Sequence, residues 1–163
     1  MSIILICNIF SGCTVKANNE DFLRIHIVAN SNSQFDQTLK NKVRDCIVDY
    51  LSQLLLETQT KDQAKIIIEK NKNSILALID EQLVLYNSNY QGRLQFKKEE
   101  FPARVYDNIV FEKGVYDAVI ITLGQGQGDN WWCVAFPPLC FIPANGDEIR
   151  YKSKIMEIIN YAK

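Results

Sequence analysis

The sequence predicts an α+β domain in which an antiparallel sheet carries two or three helices on one face, forming a two-layer sandwich. Three observations lead to this prediction. Residues 22–29 alternate between apolar and mixed positions, residues 33–86 carry apolar side chains at helical spacing, and residues 93–136 contain several β-like segments. A chain of 163 residues with 47% hydrophobic residues has enough apolar surface for one such domain.

The first seventeen residues form a segment of their own. An apolar run at residues 3–10 is followed by small and polar residues that end at Ala17. This order is typical of a secretory signal, and the run is too short to span a bilayer. We therefore predict an export segment over residues 1–17, truncated at its start because no Lys or Arg precedes the run, and one domain over residues 18–163. A buried edge strand and a lipidated Cys13 are the alternatives.

Residues 22–29 predict the first strand of the domain. Leu23, Ile25 and Ile27 share one face, whereas Arg24 and His26 share the other. His26 is the sole histidine of the chain. We favour a structural role for it, hydrogen-bonded at the sheet surface, because no neighbour in the sequence offers the partner that a general base needs.

Two helical stretches follow this strand. Ser33 is a predicted N-cap, and apolar residues recur at helical spacing over residues 39–54. Cys46 lies in that apolar stripe, which predicts a small core residue and not a nucleophile. A second helical stretch covers residues 62–86, with a break predicted near residues 71–73.

Four further strands and a last helix complete the prediction. A hairpin turn is predicted at Lys113-Gly114, between the second and third of these strands. The predicted strands cover residues 93–98, 104–111, 116–123 and 131–136, and the helix covers residues 149–162.

Cofactor and metal sites find little support in the sequence. Gly124, Gly126 and Gly128 suggest a dinucleotide-binding loop, but that motif needs its third glycine one residue later and a helix behind it, whereas a strand follows here. The spacing of Cys133 and Cys140 does not fit a zinc site. A net charge of −1 offers no basic surface for nucleic acid. We therefore predict no cofactor, no metal and no nucleic-acid partner.

Residues 131–141, WWCVAFPPLCF, carry the densest aromatic signal of the chain. The adjacent prolines stiffen the backbone, so Leu139 and Phe141 are presented on an extended segment. Large aromatic residues on a rigid support are typical of protein interfaces, although a core plug at one end of the sheet fits equally well. In an oxidising compartment Cys133 is expected to pair with Cys140, which leaves Cys46 free.

Two motifs resemble the stage II sporulation protein R family. The first is LRIHIVANS at residues 23–31, followed by DQ at 36–37, LK at 39–40 and VRD at 43–45. The second is GQGQGDNWWCV at residues 124–134, continued by FPPLCF at 136–141. The closing helical stretch at residues 151–159 is also similar, so the resemblance extends over about residues 22 to 161.

The resemblance implies a signalling role. Proteins of this family are made in the forespore of endospore-forming bacteria and exported into the space between the forespore and mother-cell membranes. There they activate a membrane-bound aspartic protease of the mother cell, which cleaves the precursor of a mother-cell sigma factor. The protein is then an activator that performs no chemistry of its own and is at most peripheral to a membrane.

We predict that the protease-binding surface combines the aromatic segment with one edge of the first strand. The predicted partner-binding residues are Arg24, His26, Asn30, Trp131, Trp132, Pro137, Pro138, Leu139 and Phe141. Two other classes of function stay open. A hydrolase would use Cys133 or Cys140 with His26, and a cell-wall glycan-binding module would use the two tryptophans as stacking platforms.

Overall fold

The domain is built on a four-stranded mixed sheet with three helices on one of its faces, which confirms the predicted α+β class. A computed structural model describes residues 15–16, 19–106 and 109–137. The helices are α1 (Gln34–Leu54), α2 (Lys61–Lys70) and α3 (Lys72–Leu85). The strands are β1 (Val15–Lys16), β2 (Leu23–Val28), β3 (Gly92–Phe101), β4 (Arg104–Tyr106), β5 (Ile109–Phe111), β6 (Gly114–Leu123) and β7 (Asn130–Phe136).

The strand order of the main sheet is β3-β6-β2-β7. The β3/β6 and β2/β7 pairs are antiparallel as predicted, but the central pair β2/β6 is parallel. The prediction of a wholly antiparallel sheet is therefore wrong for this pair. After β2 the chain passes through all three helices and returns on β3, and this helical crossover lets β6 lie beside β2 in the same direction.

A small second sheet has the strand order β1-β5-β4. β4 and β5 lie between β3 and β6 in the chain, whereas β1 precedes β2. The single strand predicted at 104–111 is two short strands, β4 and β5, that pair with each other. Gly114 pairs with Phe101 of β3, so the predicted hairpin at Lys113-Gly114 is a crossing from the small sheet to the main one. β1 runs parallel to β5. The rest of the predicted export segment and the helix predicted at 149–162 lie outside the described residues.

The helices begin and break where the local sequence predicts. The Ser33 hydroxyl accepts a hydrogen bond from the Asp36 backbone N–H (3.1 Å) and so caps α1. Asn71 separates α2 from α3, and its side-chain amide donates to the Ile67 carbonyl (2.9 Å). Cys46 is half-buried with a free thiol, and burial raises the pKa of that thiol.

Both faces of the sheet are covered, each by a different kind of residue. The helix-covered face carries an aliphatic core that includes Leu23, Ile25 and Ile27 of β2, all fully buried as the alternation predicts. The opposite face carries an aromatic cluster. Its buried members are Phe22, Phe101, Phe111, Tyr116, Ala118, Ile120 and Val134, with Trp132 packed against them.

Candidate functional site

The two sequence motifs are brought together by the fold. β2 and β7 pair antiparallel, with His26 opposite Trp132 and Ile27 opposite Trp131. Beyond the end of β2, residues 30–33 lie against residues 124–129, the loop that leads into β7. We call residues 124–129 the glycine loop, and the region where it meets residues 30–36 the motif junction.

Backbone amides of the glycine loop hold it to the end of β2. The four hydrogen bonds are Gln127 N to Asn30 O (3.1 Å), Gly128 N to Ala29 O (2.9 Å), Gln125 N to Asn30 Oδ1 (2.9 Å) and Asp129 N to Asn32 Oδ1 (2.6 Å). Asn30 therefore contacts the loop through both its backbone and its side chain. These bonds give the loop one position relative to the first motif.

The glycines are needed for backbone geometry. Gly124 and Gly126 have positive φ values of 54° and 66°, a region that favours glycine. A Cβ on Gly128 would collide with the backbone carbonyl oxygen of Ser31. The loop therefore lies closer to residues 30–33 than a side chain would permit.

Asp36 organises the other side of the junction. It is 5% exposed and accepts hydrogen bonds from the Tyr90 hydroxyl (2.6 Å), the Asn30 amide (2.9 Å) and the Ser31 hydroxyl (2.5 Å). Burial acts to raise the pKa of this carboxyl group, but hydrogen bonds from Ser31, Tyr90, Asn30 and Ser33 outweigh it and hold the pKa below its usual value. Burial and the bond to Asp36 together raise the pKa of Tyr90.

Lys40 ties the glycine loop to α1. Its ammonium group donates to Gln37 Oε1 (2.7 Å) and to the backbone carbonyl of Asp129 (3.0 Å), and the residue is 6% exposed. Burial lowers the pKa of Lys40, the nearby Arg44 charge lowers it further, and Asp129 opposes both. The loop is thus held at one end by Asn30 and at the other by Lys40.

His26 belongs to the aromatic face and not to an accessible edge. Its ring stacks on Trp132 with 3.6 Å between centroids, and Nδ1 lies 3.0 Å from Glu99 Oε2. The residue is 5% exposed, and its buried Nε2 has no hydrogen-bond partner among the described residues. The structural role that the sequence favoured for His26 fits this packing.

Arg24 is fully buried beside the same cluster. Its Nε donates to the Cys133 carbonyl (2.9 Å), and its guanidinium lies over the Phe101 ring at 4.5 Å. Arg24 and His26 were predicted to contact a partner, and their burial corrects that placement. Both side chains contact β7, Arg24 at the Cys133 carbonyl and His26 at the Trp132 ring.

The remaining predicted residues divide into three groups. Trp131 and Trp132 are half-buried, and the Arg44 guanidinium lies 5.9 Å from the centre of the Trp131 ring. Pro137 is buried. The predictions for Pro138, Leu139, Cys140 and Phe141 fall outside the described residues.

Cys133 and His26 lie on opposite faces of the sheet. Cys133 pairs with Ile25 and belongs to the aliphatic core, whereas His26 faces the aromatic cluster. Cys133 is disulfide-bonded, and Cys7, Cys13 and Cys140 all fall outside the described residues, so its pairing with Cys140 stays a prediction. A hydrolytic pair of Cys133 with His26 is therefore incompatible with this geometry.

The described residues offer neither a metal-binding cluster nor a helix suited to crossing a membrane. No group of three or more His, Cys, Asp or Glu side chains there is arranged to hold a metal ion. Nor does any described helix combine the length and apolar character that crossing a bilayer requires.

The comparisons with known proteins agree with the two motifs. The family model for stage II sporulation protein R matches residues 19–146. The stage II sporulation protein R of Bacillus subtilis (strain 168) is 36% identical over 129 residues, which cover 78% of this chain and 58% of that protein. No solved structure gives a significant match. With more than half of its length matched, the chain belongs to the stage II sporulation protein R family, whose role lies in sporulation.

Proposed function

We propose that this protein is an exported signal that acts between the forespore and mother-cell membranes by activating a membrane-bound aspartic protease of the mother cell. That protease then cleaves the precursor of a mother-cell sigma factor. The observation that carries the proposal is the motif junction, where the two family motifs, nearly a hundred residues apart, fold into one surface. A catalytic role for this chain is not part of the proposal.

The partner surface that we propose is the exposed side of the glycine loop together with Trp131. Gln125, Gln127, Asp129 and Asn130 are exposed, whereas the groups beneath them are occupied in internal hydrogen bonds. An ordered loop loses little conformational entropy when it binds, which favours its use as a recognition element. Asn30 supports this surface through its hydrogen bonds to the loop.

The experiment reconstitutes activation in a heterologous cell. The exported protein is produced with the protease and the sigma-factor precursor, and precursor cleavage is followed on immunoblots. We expect the double variant Gln125→Ala/Gln127→Ala to reduce cleavage, because both side chains project from the loop without being needed for its hydrogen bonds. Gln53→Ala, the same change at an exposed position of α1, is the matched control and leaves cleavage unchanged.

Two results would count against the proposal. Normal cleavage by the double variant, at normal protein levels, removes the loop from the partner surface. Cleavage that persists when export of the protein is blocked removes the signalling role altogether.

The pairing of Cys133 with Cys140 belongs to the same proposal. Such a disulfide would anchor the aromatic segment after β7 close to the motif junction. We expect the exported wild-type protein to show no reactive thiol at either position, and Cys140→Ser to release a reactive thiol at Cys133. Labelling of both thiols in folded, exported protein contradicts the pairing.

A further inference from the structure

A cavity of about 250 Å³ lies on the helix-covered face of the sheet, under α2 and beside β3. It is apolar at Leu23 and Phe96 and charged at Lys65, Lys97, Lys98 and Asp117. Sites for drug-sized ligands have volumes of roughly 300–1,000 Å³, so this cavity suits a single side chain better than a cofactor. We call it the lysine pocket.

The charges in and around the lysine pocket do not balance. The Lys61 ammonium lies 2.7 Å from Asp117 Oδ2 and so compensates the one carboxylate. The Lys97 ammonium lies 3.3 Å from Glu99 Oε1, whereas Lys65 and Lys98 make no ion pair within the described part of the chain. The pKa of Asp117 lies below its usual value, chiefly because the carboxylate accepts a hydrogen bond from Lys61. Burial opposes this effect, and the positive charges of Lys98 and Lys65 add to it. Two ammonium groups are therefore left to attract an anion.

The pocket adjoins the edge strand β3 of the main sheet. β3 pairs with β6 on one side only, and no described strand pairs with its outer edge. Gly124 N donates to Gln91 O, whereas Gly92 N donates outward to the Asp80 side chain. Because backbone direction alternates along an antiparallel ladder, the amides of Phe96, Lys98 and Glu100 point to the outer edge.

We propose that the outer edge of β3 between residues 96 and 100 binds an extended peptide segment of a partner protein by strand addition, with an acidic side chain of that segment in the lysine pocket. In strand addition the backbone hydrogen bonds supply affinity, and pockets for alternate side chains supply specificity. The charge of the pocket selects a carboxylate, and the apolar floor at Leu23 and Phe96 accommodates its methylene groups.

A second copy of this chain is a poorer occupant of the same edge. Antiparallel pairing of two β3 strands would bring the Lys97-Lys98 pair of one copy close to that of the other, and like charges across strands are destabilising. The site lies at the opposite edge of the sheet from β7, so it does not depend on the proposed function.

Three short blocked peptides test the proposal on the full chain. The first alternates Thr and Val with one central Glu, the second carries Gln in place of Glu, and the third is the Glu peptide with every second amide N-methylated. In an NMR titration we expect the Glu peptide to change the amide chemical shifts of residues 96–100. We expect it to bind about fivefold more tightly than the Gln peptide, because an ion pair that is partly exposed to water contributes only modestly to affinity. The N-methylated peptide is expected to lose binding.

Variants separate the pocket from the strand edge. In Lys65→Ala/Lys98→Ala the Glu and Gln peptides are expected to bind equally. Lys42→Ala, which removes an exposed lysine of α1 that does not line the pocket, is the control and keeps the preference for Glu. Thermal unfolding verifies that each variant is folded. The proposal is overturned if the Glu peptide fails to bind, if wild-type protein binds the Glu and Gln peptides alike, or if N-methylation has no effect.

Discussion

Asp36 gives the sharpest test of how the motif junction is held together. Replacing it by Ala removes the acceptor of the Tyr90, Asn30 and Ser31 side chains. Hydrogen bonds to a charged group contribute about 1.5–3 kcal/mol each, but all three donors are half-buried and partly regain water. Taking about 1 kcal/mol for each, we expect Asp36→Ala to lower the free energy of unfolding by about 3 kcal/mol at pH 7.

The pH dependence of the same variant follows from the pKa of Asp36. The folded protein holds this pKa below its usual value of 3.8, so the ionised carboxylate stabilises the fold fully above that value. Its contribution is lost as the pH falls through the lower pKa of the folded state. The difference in stability between wild type and Asp36→Ala should therefore be constant near neutrality and narrow below about pH 4.

Urea denaturation over a pH series measures this difference, with equal m-values required for the comparison. Asp117 also has a lowered pKa, but it is present in both proteins and cancels from the difference. Asp45→Asn is the control, because Asp45 is exposed on the same helix and its surface pair with Arg44 contributes little. The reasoning would be refuted if Asp36→Ala lowered the free energy of unfolding by less than about 0.5 kcal/mol, which is the range of ordinary surface substitutions.

Three other predictions concern residues beneath or beside the two proposed surfaces. Gly128→Ala should lower the free energy of unfolding by about 1–3 kcal/mol in urea denaturation, because the new methyl group would collide with backbone atoms. Gly114→Ala should lower it less, because there the methyl group meets only a side chain that can move. Arg24→Lys should lower the free energy of unfolding by about 2 kcal/mol in the same assay, because an ammonium group cannot stack flat on the surrounding rings as a guanidinium does. Lys61→Ala should raise the pKa of Asp117 towards its usual value, and NMR titration of the carboxyl group measures this pKa. An unchanged pKa would show that the ion pair between Lys61 and Asp117 is weak.

Local patterns in the sequence were sufficient for most individual elements. Alternation identifies β2 and the face that packs in the aliphatic core, and the Ser33 cap together with the interruption near Asn71 locates the helices. Strand order is different, because alternation tells which face a residue occupies but not which strand lies next to it. The parallel β2/β6 pair depends on the route of the chain through three helices, and no pair of neighbouring residues encodes that route.

The candidate site was predictable in position but not in its internal contacts. The sequence identifies both motifs, but it does not predict the hydrogen bonds that Asp36 accepts at the motif junction. Its bond to Tyr90 spans 54 positions, and no spacing rule connects the two residues. Arg24 was assigned to a surface because it alternates with apolar residues, while the rings that bury it come from β3, β5 and β6. Charge and periodicity cannot reveal such distant aromatic cover.

The bond between Asp129 and Asn32 joins positions 97 residues apart. A recognition surface made in this way is a property of the whole folded chain, since neither stretch alone holds the other in place. Peptides cut from residues 23–45 or from 124–136 would carry the motif residues without their arrangement. A protein that binds this surface would therefore not recognise fragments or unfolded copies, so only the folded chain would act as the signal.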